Sequence, residues 1–315
     1  MNVKPLRDDL AFGARISGLT LKTFDDAAVG KQIKDIFEDR GLIVFEDVEP
    51  SGYMHVAISN AIGPLKEHAT KGVAHVDGNL PGVLDLRNEK QNATIIELDG
   101  KVLTNWIPWH FDHCYNNELN RGAVLRAIDI APEGGLTGFA DGIELYNAID
   151  PALRQQIEGR NILYNLDLRY TRMRFGKPQN FRVLEEAPAM AKIVEQALSQ
   201  PRAVHPAVWT RASGEKVFHV SPWMALGIEG HEDPEGEALL EAVSQDIRAK
   251  IHPYYHAWKP TEMLVWDNWR MLHCVTGVDP KYMRHMQRTT IKGDYGLGYF
   301  EGGAKTGDAV LEMTV

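Results

Sequence analysis

Apolar residues recur at helical spacing over residues 25–40, where Val29, Ile33, Ile36 and Phe37 fall on one face and Gly41 follows where a C-terminal cap belongs. Residues 42–45 are an apolar run of strand length, and residues 51–62 predict a second helix stopped by Gly63-Pro64. Between Pro64 and Pro108, short apolar pieces at 83–86 and 93–98 predict strands joined by long, Gly-, Asn- and Pro-punctuated loops. Runs rich in β-branched and aromatic residues at 122–128, 160–168, 204–209, 216–220, 262–266 and 287–292 predict further strands. Helical pattern returns only at 186–198 and 234–251, so helices decorate the strands without alternating with them as βαβ units would. The pattern fits a mixed, mainly β fold, a jelly roll or sandwich with helical and loop insertions. No phosphate-cradling glycine motif accompanies it.

Composition narrows the classes. With 315 residues, 44% of them apolar, the chain can bury one large β core, and no compositional break marks a linker, so residues 1–315 read as a single domain. The excess of 43 acidic over 34 basic residues, a formal charge of -9, works against binding a phosphate backbone, so nucleic acid is not an expected partner. Two cysteines, Cys114 and Cys274, cannot staple a scaffold, and the N-terminal residues lack an apolar signal core, which together point to a reducing cytoplasm. The longest apolar runs are strand-sized, so no membrane span is expected. Homo-oligomerisation is compatible with such a chain, although no heptad pattern selects a state.

Candidate chemistry begins with three His-x-Asp triplets. Asp233 of His231-Glu232-Asp233 precedes Pro234 at a predicted helix start and reads as an N-cap. His75-Val76-Asp77 runs into Gly78-Asn79, turn chemistry that suits solvated loop groups. His110-Phe111-Asp112 instead sits in an aromatic segment of strand character, Trp106 to Tyr115, where an imidazole and a carboxylate need a reason to be buried. On a strand, residues two apart share a face, so His110 and Asp112 can converge on one ion, with Cys114 on the same face and Phe111 turned away. Two histidines and a carboxylate on one face of an octahedron leave three positions open, the arrangement of non-haem iron(II) oxygenases.

His273, at the end of the hydrophobic stretch that follows Trp266-Asp267-Asn268, is the candidate second histidine, with an ordinary core histidine as the alternative. In the next segment, Arg284 to Ile291, β-branched residues favour a strand on which Arg284 and Arg288 share a face. A guanidinium grips a carboxylate through a bidentate, charge-assisted pair of hydrogen bonds, so one arginine can hold the distal carboxylate of an oxo-acid cosubstrate and leave the other free for substrate. The competing reading is a pair of surface arginines matched with acids. Arg169, Arg172, Arg174, Lys177 and Arg182 form a basic stretch that reads as a solvated face or as a lid over an anionic substrate.

The set His110-x-Asp112, His273, Arg284 and Arg288 resembles the taurine dioxygenase and 2,4-dichlorophenoxyacetate dioxygenase family of iron(II), 2-oxoglutarate-dependent enzymes. The resemblance runs from about residue 5 to residue 295 and includes Gly41 to Phe45 and Trp266-Asp267-Asn268. It implies a double-stranded β-helix core, with His110, Asp112 and His273 as iron ligands and no further catalytic side chain. It also implies that Thr137 and Arg284 bind the distal carboxylate of 2-oxoglutarate and that Arg288 meets an anionic group of the substrate; His68 lies where the family often has a histidine near substrate, with an exposed loop histidine as the alternative, and Trp106 is a candidate substrate contact by its aromatic character. Leu136 stands where the family usually has Asp, the segment around Asn105 and Trp106 is bulkier than in taurine-type members, and the loop from His68 to Leu103 is longer than theirs, so substrate identity does not carry over.

What the resemblance implies for function is oxidation of a small organic substrate by iron(II), 2-oxoglutarate and O2. Arg288 suits a carboxylate, sulfonate or sulfate handle, and Trp106, Trp109, Tyr115 and Trp223 suit an apolar or aromatic body. Hydroxylation next to an ether oxygen or a sulfonate would then be followed by C–O or C–S cleavage. The alternatives are a mononuclear zinc hydrolase using the same three ligands and a non-catalytic jelly-roll binding module.

Overall fold

In the computed structural model, residues 1–66, 82–87, 93–187, 195, 198 and 200–303 are described. Helix α1 spans Ala27–Arg40; the Asp26 carboxylate caps its first turn at the Ala28 N–H, and Gly41, at φ 72°, ends it in a conformation that favours glycine. Helix α2, Gly52–Ile62, starts where the Ser51 side chain accepts from the Met54 N–H and stops before Gly63-Pro64.

These helices cover one face of a seven-stranded sheet. Its spatial order is β1 (Asn2–Pro5), β2 (Ala14–Ser17), β3 (Leu42–Phe45), β16 (Met263–Asp267), β7 (Gly122–Asp129), β18 (His285–Ile291) and β4 (Leu84–Arg87). Strand periodicity sorts its side chains. Ile43, Phe45, Val124 and Val265 pack under α1 and α2, whereas Leu42, Val44, Leu125, Leu264, Trp266 and Met286 point the other way. They meet Phe139, Met271 and Tyr254 of a six-stranded sheet ordered β10 (Phe181–Glu185), β5 (Ile95–Leu98), β6 (Lys101–His110), β17 (Met271–Val278), β8 (Thr137–Asp141) and β15 (Tyr254–His256).

Behind the second sheet lies another apolar cluster. It is built on a four-stranded sheet, β14 (Ala225–Ile228), β9 (Asn161–Tyr164), β11 (Ala203–Pro206) and β19 (Tyr299–Phe300), a ribbon of β12 (Val208–Thr210) and β13 (Lys216–Phe218), and helices α3 (Gly142–Ala148), α4 (Pro151–Ile157) and α5 (Pro234–Lys250). Every ladder among the described residues is antiparallel except β2 with β3. The fold is sheet-rich with few helices, as the irregular alternation of patterns led one to expect.

Several boundaries differ from the pattern. The strand expected at 160–168 is only Asn161–Tyr164, and the one at 204–209 divides into β11 and β12 around Ala207. Strands β8 and β17 carry Gly138 and Gly277, which weaken the hydrophobic signal, and neither stood out in the sequence. The helix expected at 186–198 falls almost wholly outside the described residues.

Candidate metal and cosubstrate site

The β6–β17 ladder builds the site. His110, the last residue of β6, is paired in register with His273 on β17, and the two imidazole centroids lie 4.1 Å apart. The chain then leaves the sheet. Contrary to expectation, the His-x-Asp motif straddles a strand end instead of lying within a strand: Phe111 stacks on His219 at 3.8 Å, and His113 takes a φ of 60°. Asp112 therefore owes its place to a side chain, since Asn268 Oδ1 accepts its N–H at 2.8 Å and Asn268 Nδ2 donates to its C=O at 3.0 Å. Cys114 shares no strand face with the motif; it is buried in the apolar cluster behind the second sheet.

The three side chains nevertheless converge. The ligand atoms of His110, Asp112 and His273 all lie within 4.8 Å of one another, and all three residues are buried. Asp112 Oδ1 is 3.5 Å from His273 Nε2 and 3.9 Å from His110 Nε2. His110 Nδ1 donates to the Pro108 carbonyl at 2.8 Å, which leaves the Nε2 lone pair facing the carboxylate. Burial, helped by His273, pushes His110 down to about 3, so its imidazole is neutral at physiological pH. Burial alone would raise the Asp112 carboxyl, but Arg288 and the two histidines outweigh it and hold Asp112 well below the usual carboxylate range. Two imidazoles and an anionic carboxylate, gathered in a buried spot, are a donor set that fits a divalent first-row metal.

Arg288 is not free, as the sequence suggested it would be. Its guanidinium pairs with Asp112 at 2.6 and 3.3 Å, with Nε left unpartnered and the group lying 5.5 Å from the ring of Trp266. Arg284 lies one residue before β18 and reaches Thr137 of β8 in the second sheet. Its Nη2 reaches Thr137 Oγ1 at 3.5 Å, and Trp258 Nε1 donates to the same hydroxyl at 3.1 Å. Among the described residues no carboxylate lies within ion-pair distance of Arg284, and burial pushes it down to about 10. It lines a cavity of about 360 Å³ together with Leu136, Trp258 and Met286. Leu136 loses no support by not being Asp: its N–H donates to Thr276 Oγ1 at 3.1 Å.

Other expectations fare differently. Trp106 packs into an aromatic group with Tyr170 and Phe181, and the tryptophan that abuts His110 is Trp223, at 5.3 Å. Trp109 points away toward Tyr255. His68 and the His75-Val76-Asp77 triplet lie outside the described residues. Asp233 is an N-cap, accepting from the Gly236 N–H at 2.8 Å. In the basic stretch Arg169, Arg174 and Arg182 pair with Asp167, Glu237 and Glu97, as a solvated face would. Sequence reasoning missed the parts played by Asn268 and His219, because neither residue type nor spacing reveals a side chain that hydrogen-bonds a distant backbone.

Comparison with known proteins follows this geometry. Residues 2–290 match the family "Taurine catabolism dioxygenase TauD, TfdA family". Similar curated proteins include an (S)-phenoxypropionate/alpha-ketoglutarate-dioxygenase of Sphingobium herbicidovorans, 28% identical over 93% of this chain and 95% of that protein. An alpha-ketoglutarate-dependent 2,4-dichlorophenoxyacetate dioxygenase of Cupriavidus pinatubonensis is 22% identical over 90% and 95%. A taurine dioxygenase structure from Burkholderia xenovorans superposes with a TM-score of 0.65 at 22% identity, covering 96% of this chain and 94% of that one, a likeness that bears on the fold.

Proposed function

The chain belongs to the TauD, TfdA dioxygenase family, and from that premise we propose how its residues divide the work of an iron(II)- and 2-oxoglutarate-dependent dioxygenase. The observation that carries the assignment is the convergence of His110, Asp112 and His273 on one buried point. These three residues would hold the iron. Bound iron with 2-oxoglutarate and O2 supplies the oxidising power, the oxo acid leaving as succinate and carbon dioxide while one oxygen atom enters the substrate. Readings as a zinc hydrolase or as a non-catalytic module lose their footing with the family membership, and neither accounts for Arg284.

The protein's own groups bind, orient and exclude water. Arg284 and Thr137 take the distal carboxylate of 2-oxoglutarate: a buried guanidinium that has no carboxylate partner among the described residues gains most from an incoming one. Arg288, whose Nε has no partner, meets an anionic group of the substrate. Trp223 and Trp266, both buried beside the ligand histidines, wall the site with apolar surface. His68 and Trp106 remain candidates for substrate contact.

The substrate is then a small anion, a carboxylate, sulfonate or sulfate, on an apolar or aromatic body, a reading supported by the aryloxy acids named for the similar dioxygenases. Hydroxylation at a carbon bearing an ether oxygen gives a hemiacetal-type product that expels the oxygen-bound fragment, and a sulfonate-bearing carbon would release sulfite. We read the two facing sheets as a double-stranded β-helix and residues 1–315 as one dioxygenase domain. No helix among the described residues is long and apolar enough to cross a membrane, and both cysteines are free and buried, which suits a cytoplasmic setting. Homo-oligomerisation fits this reading, whereas a nucleic-acid or membrane partner does not.

The test is iron-dependent succinate formation across a panel of aryloxy carboxylates, alkyl sulfonates, sulfate esters and their neutral amides or alcohols. The account expects one anionic class to stimulate turnover. Stimulation by the neutral analogues as strong as by the anions would overturn the substrate reading.

A further inference from the structure

Asp112 is a site residue with no strand to hold it. Strand β6 ends at His110, so neither backbone group of Asp112 has a ladder partner, and the chain turns sharply at His113. A buried N–H and C=O left unpaired would be costly, and a residue held by one hydrogen bond could still swing about it. Asn268 supplies both missing partners at once, accepting the Asp112 N–H at 2.8 Å and donating to the Asp112 C=O at 3.0 Å, much as a neighbouring strand would.

Asn268 is itself fully buried and tied down. Its Nδ2 also reaches Asn120 Oδ1 at 3.0 Å and the Asn120 C=O at 3.2 Å, and its own C=O accepts from His219 Nε2 at 2.9 Å. His219 in turn stacks on Phe111, the residue between the two ligands of the motif. The flanks are pinned by ion pairs, Asp267 to Arg121 and Arg270 to Asp141, the latter at 2.7 and 2.8 Å. The same turn leads directly into β17, which carries His273.

Resting on the reading of His110, Asp112 and His273 as iron ligands, we infer that Asn268 is a positioning residue for the metal carboxylate. Its carboxamide fixes the two peptide planes on either side of the Asp112 Cα, and so the direction in which the carboxylate leaves the chain. Because Asn268 and His273 share one pinned turn and strand, and His273 is in register with His110, all three ligands belong to one rigid piece. Loss of the carboxamide leaves the ligands present but the carboxylate misdirected.

The experiment uses cobalt(II) as a spectroscopic probe, titrated into the purified full chain, with far-UV circular dichroism and thermal melting as fold controls. Asp112→Ala should abolish tight binding. Asn268→Ala should weaken cobalt binding by about 10- to 100-fold and alter the visible band of the bound ion, the range found when groups that orient metal ligands are removed. Asn268→Asp keeps an oxygen for the Asp112 N–H but sets an acceptor against its C=O, and should likewise weaken binding and alter the band. Asn120→Ala removes a bond of the same carboxamide without touching its grip on Asp112, and should leave the band unchanged; if Asn268→Ala does not fold, the contrast of Asn268→Asp with Asn120→Ala decides. A purely structural asparagine would lower the melting temperature while leaving affinity and band as in the wild type, and that result, in either folded Asn268 variant, overturns the proposal. If Asp112→Ala binds as well as the wild type, the ligand assignment has failed and the positioning role falls with it.

Discussion

At the scale of single residues, two arginines do different work because their surroundings differ. Among the described residues Arg284 has no carboxylate within ion-pair distance and sits at Thr137, whereas Arg288 lies on Asp112. A charge-assisted hydrogen bond contributes about 1.5–3 kcal/mol, so Arg284→Ala should raise the KM for 2-oxoglutarate roughly 10- to 150-fold with much less effect on the substrate's. Arg288→Ala should raise the substrate's KM more than that of 2-oxoglutarate and, because Asp112 loses its buried counter-charge, also weaken metal binding. Steady-state kinetics with each reactant varied in turn measures this, and equal shifts in both KM values from both variants would contradict the division. That Arg284 and Arg288 belong together was a reading of strand periodicity, although β18 itself begins only at His285. The contact of Arg288 with Asp112 was not, because it joins residues 176 positions apart whose meeting depends on how two sheets face each other.

Elements show where local signals suffice and where they stop. Helices α1 and α2 were readable from apolar spacing and from the glycines that follow them, and the start of α5 from Asp233, which accepts a backbone N–H as expected of an N-cap; the caps at Asp26 and Ser51 are findings of the structure. Asp233→Ala should therefore cost about 1 kcal/mol, read as a lowered urea midpoint, and leave metal affinity unchanged. The turn joining β16 to β17 had no such local signature, and neither did the place where β6 ends; both are fixed by partners far away in sequence. The buried, bidentate pair of Arg270 with Asp141 is one of those partners. Arg270→Ala leaves Asp141 buried without its counter-charge and should destabilise the protein by about 3–5 kcal/mol, far more than the cap, in the same urea experiment. Equal midpoints for the two variants would contradict this ranking.

For the whole molecule, the buried histidines make stability depend on pH. Burial pushes His55 and His219 down to about 3, and His205 and His256 to about 4. Their unfolded values are about 6.5, so below that pH the unfolded chain takes up protons that the native state does not. The contribution is fully present above pH 6.5 and is lost as pH falls toward 4, by up to about 1.4 kcal/mol per pH unit for each histidine. Urea midpoints at pH 7.5, 6 and 5 should fall steeply, and a flat profile would contradict the burial of these groups as neutral rings. The family and a sheet-rich fold with few helices were legible in the sequence because they rest on motif residues and on periodicity, and so was the convergence of three candidate ligands, while the supporting groups were not. The central claim, that His110, Asp112 and His273 hold the iron, is tested most directly by anaerobic addition of iron(II) and 2-oxoglutarate to the purified protein. The account predicts a weak visible charge-transfer band that is lost in each of His110→Ala, Asp112→Ala and His273→Ala, with the fold retained; a band that survives in any of them would contradict it.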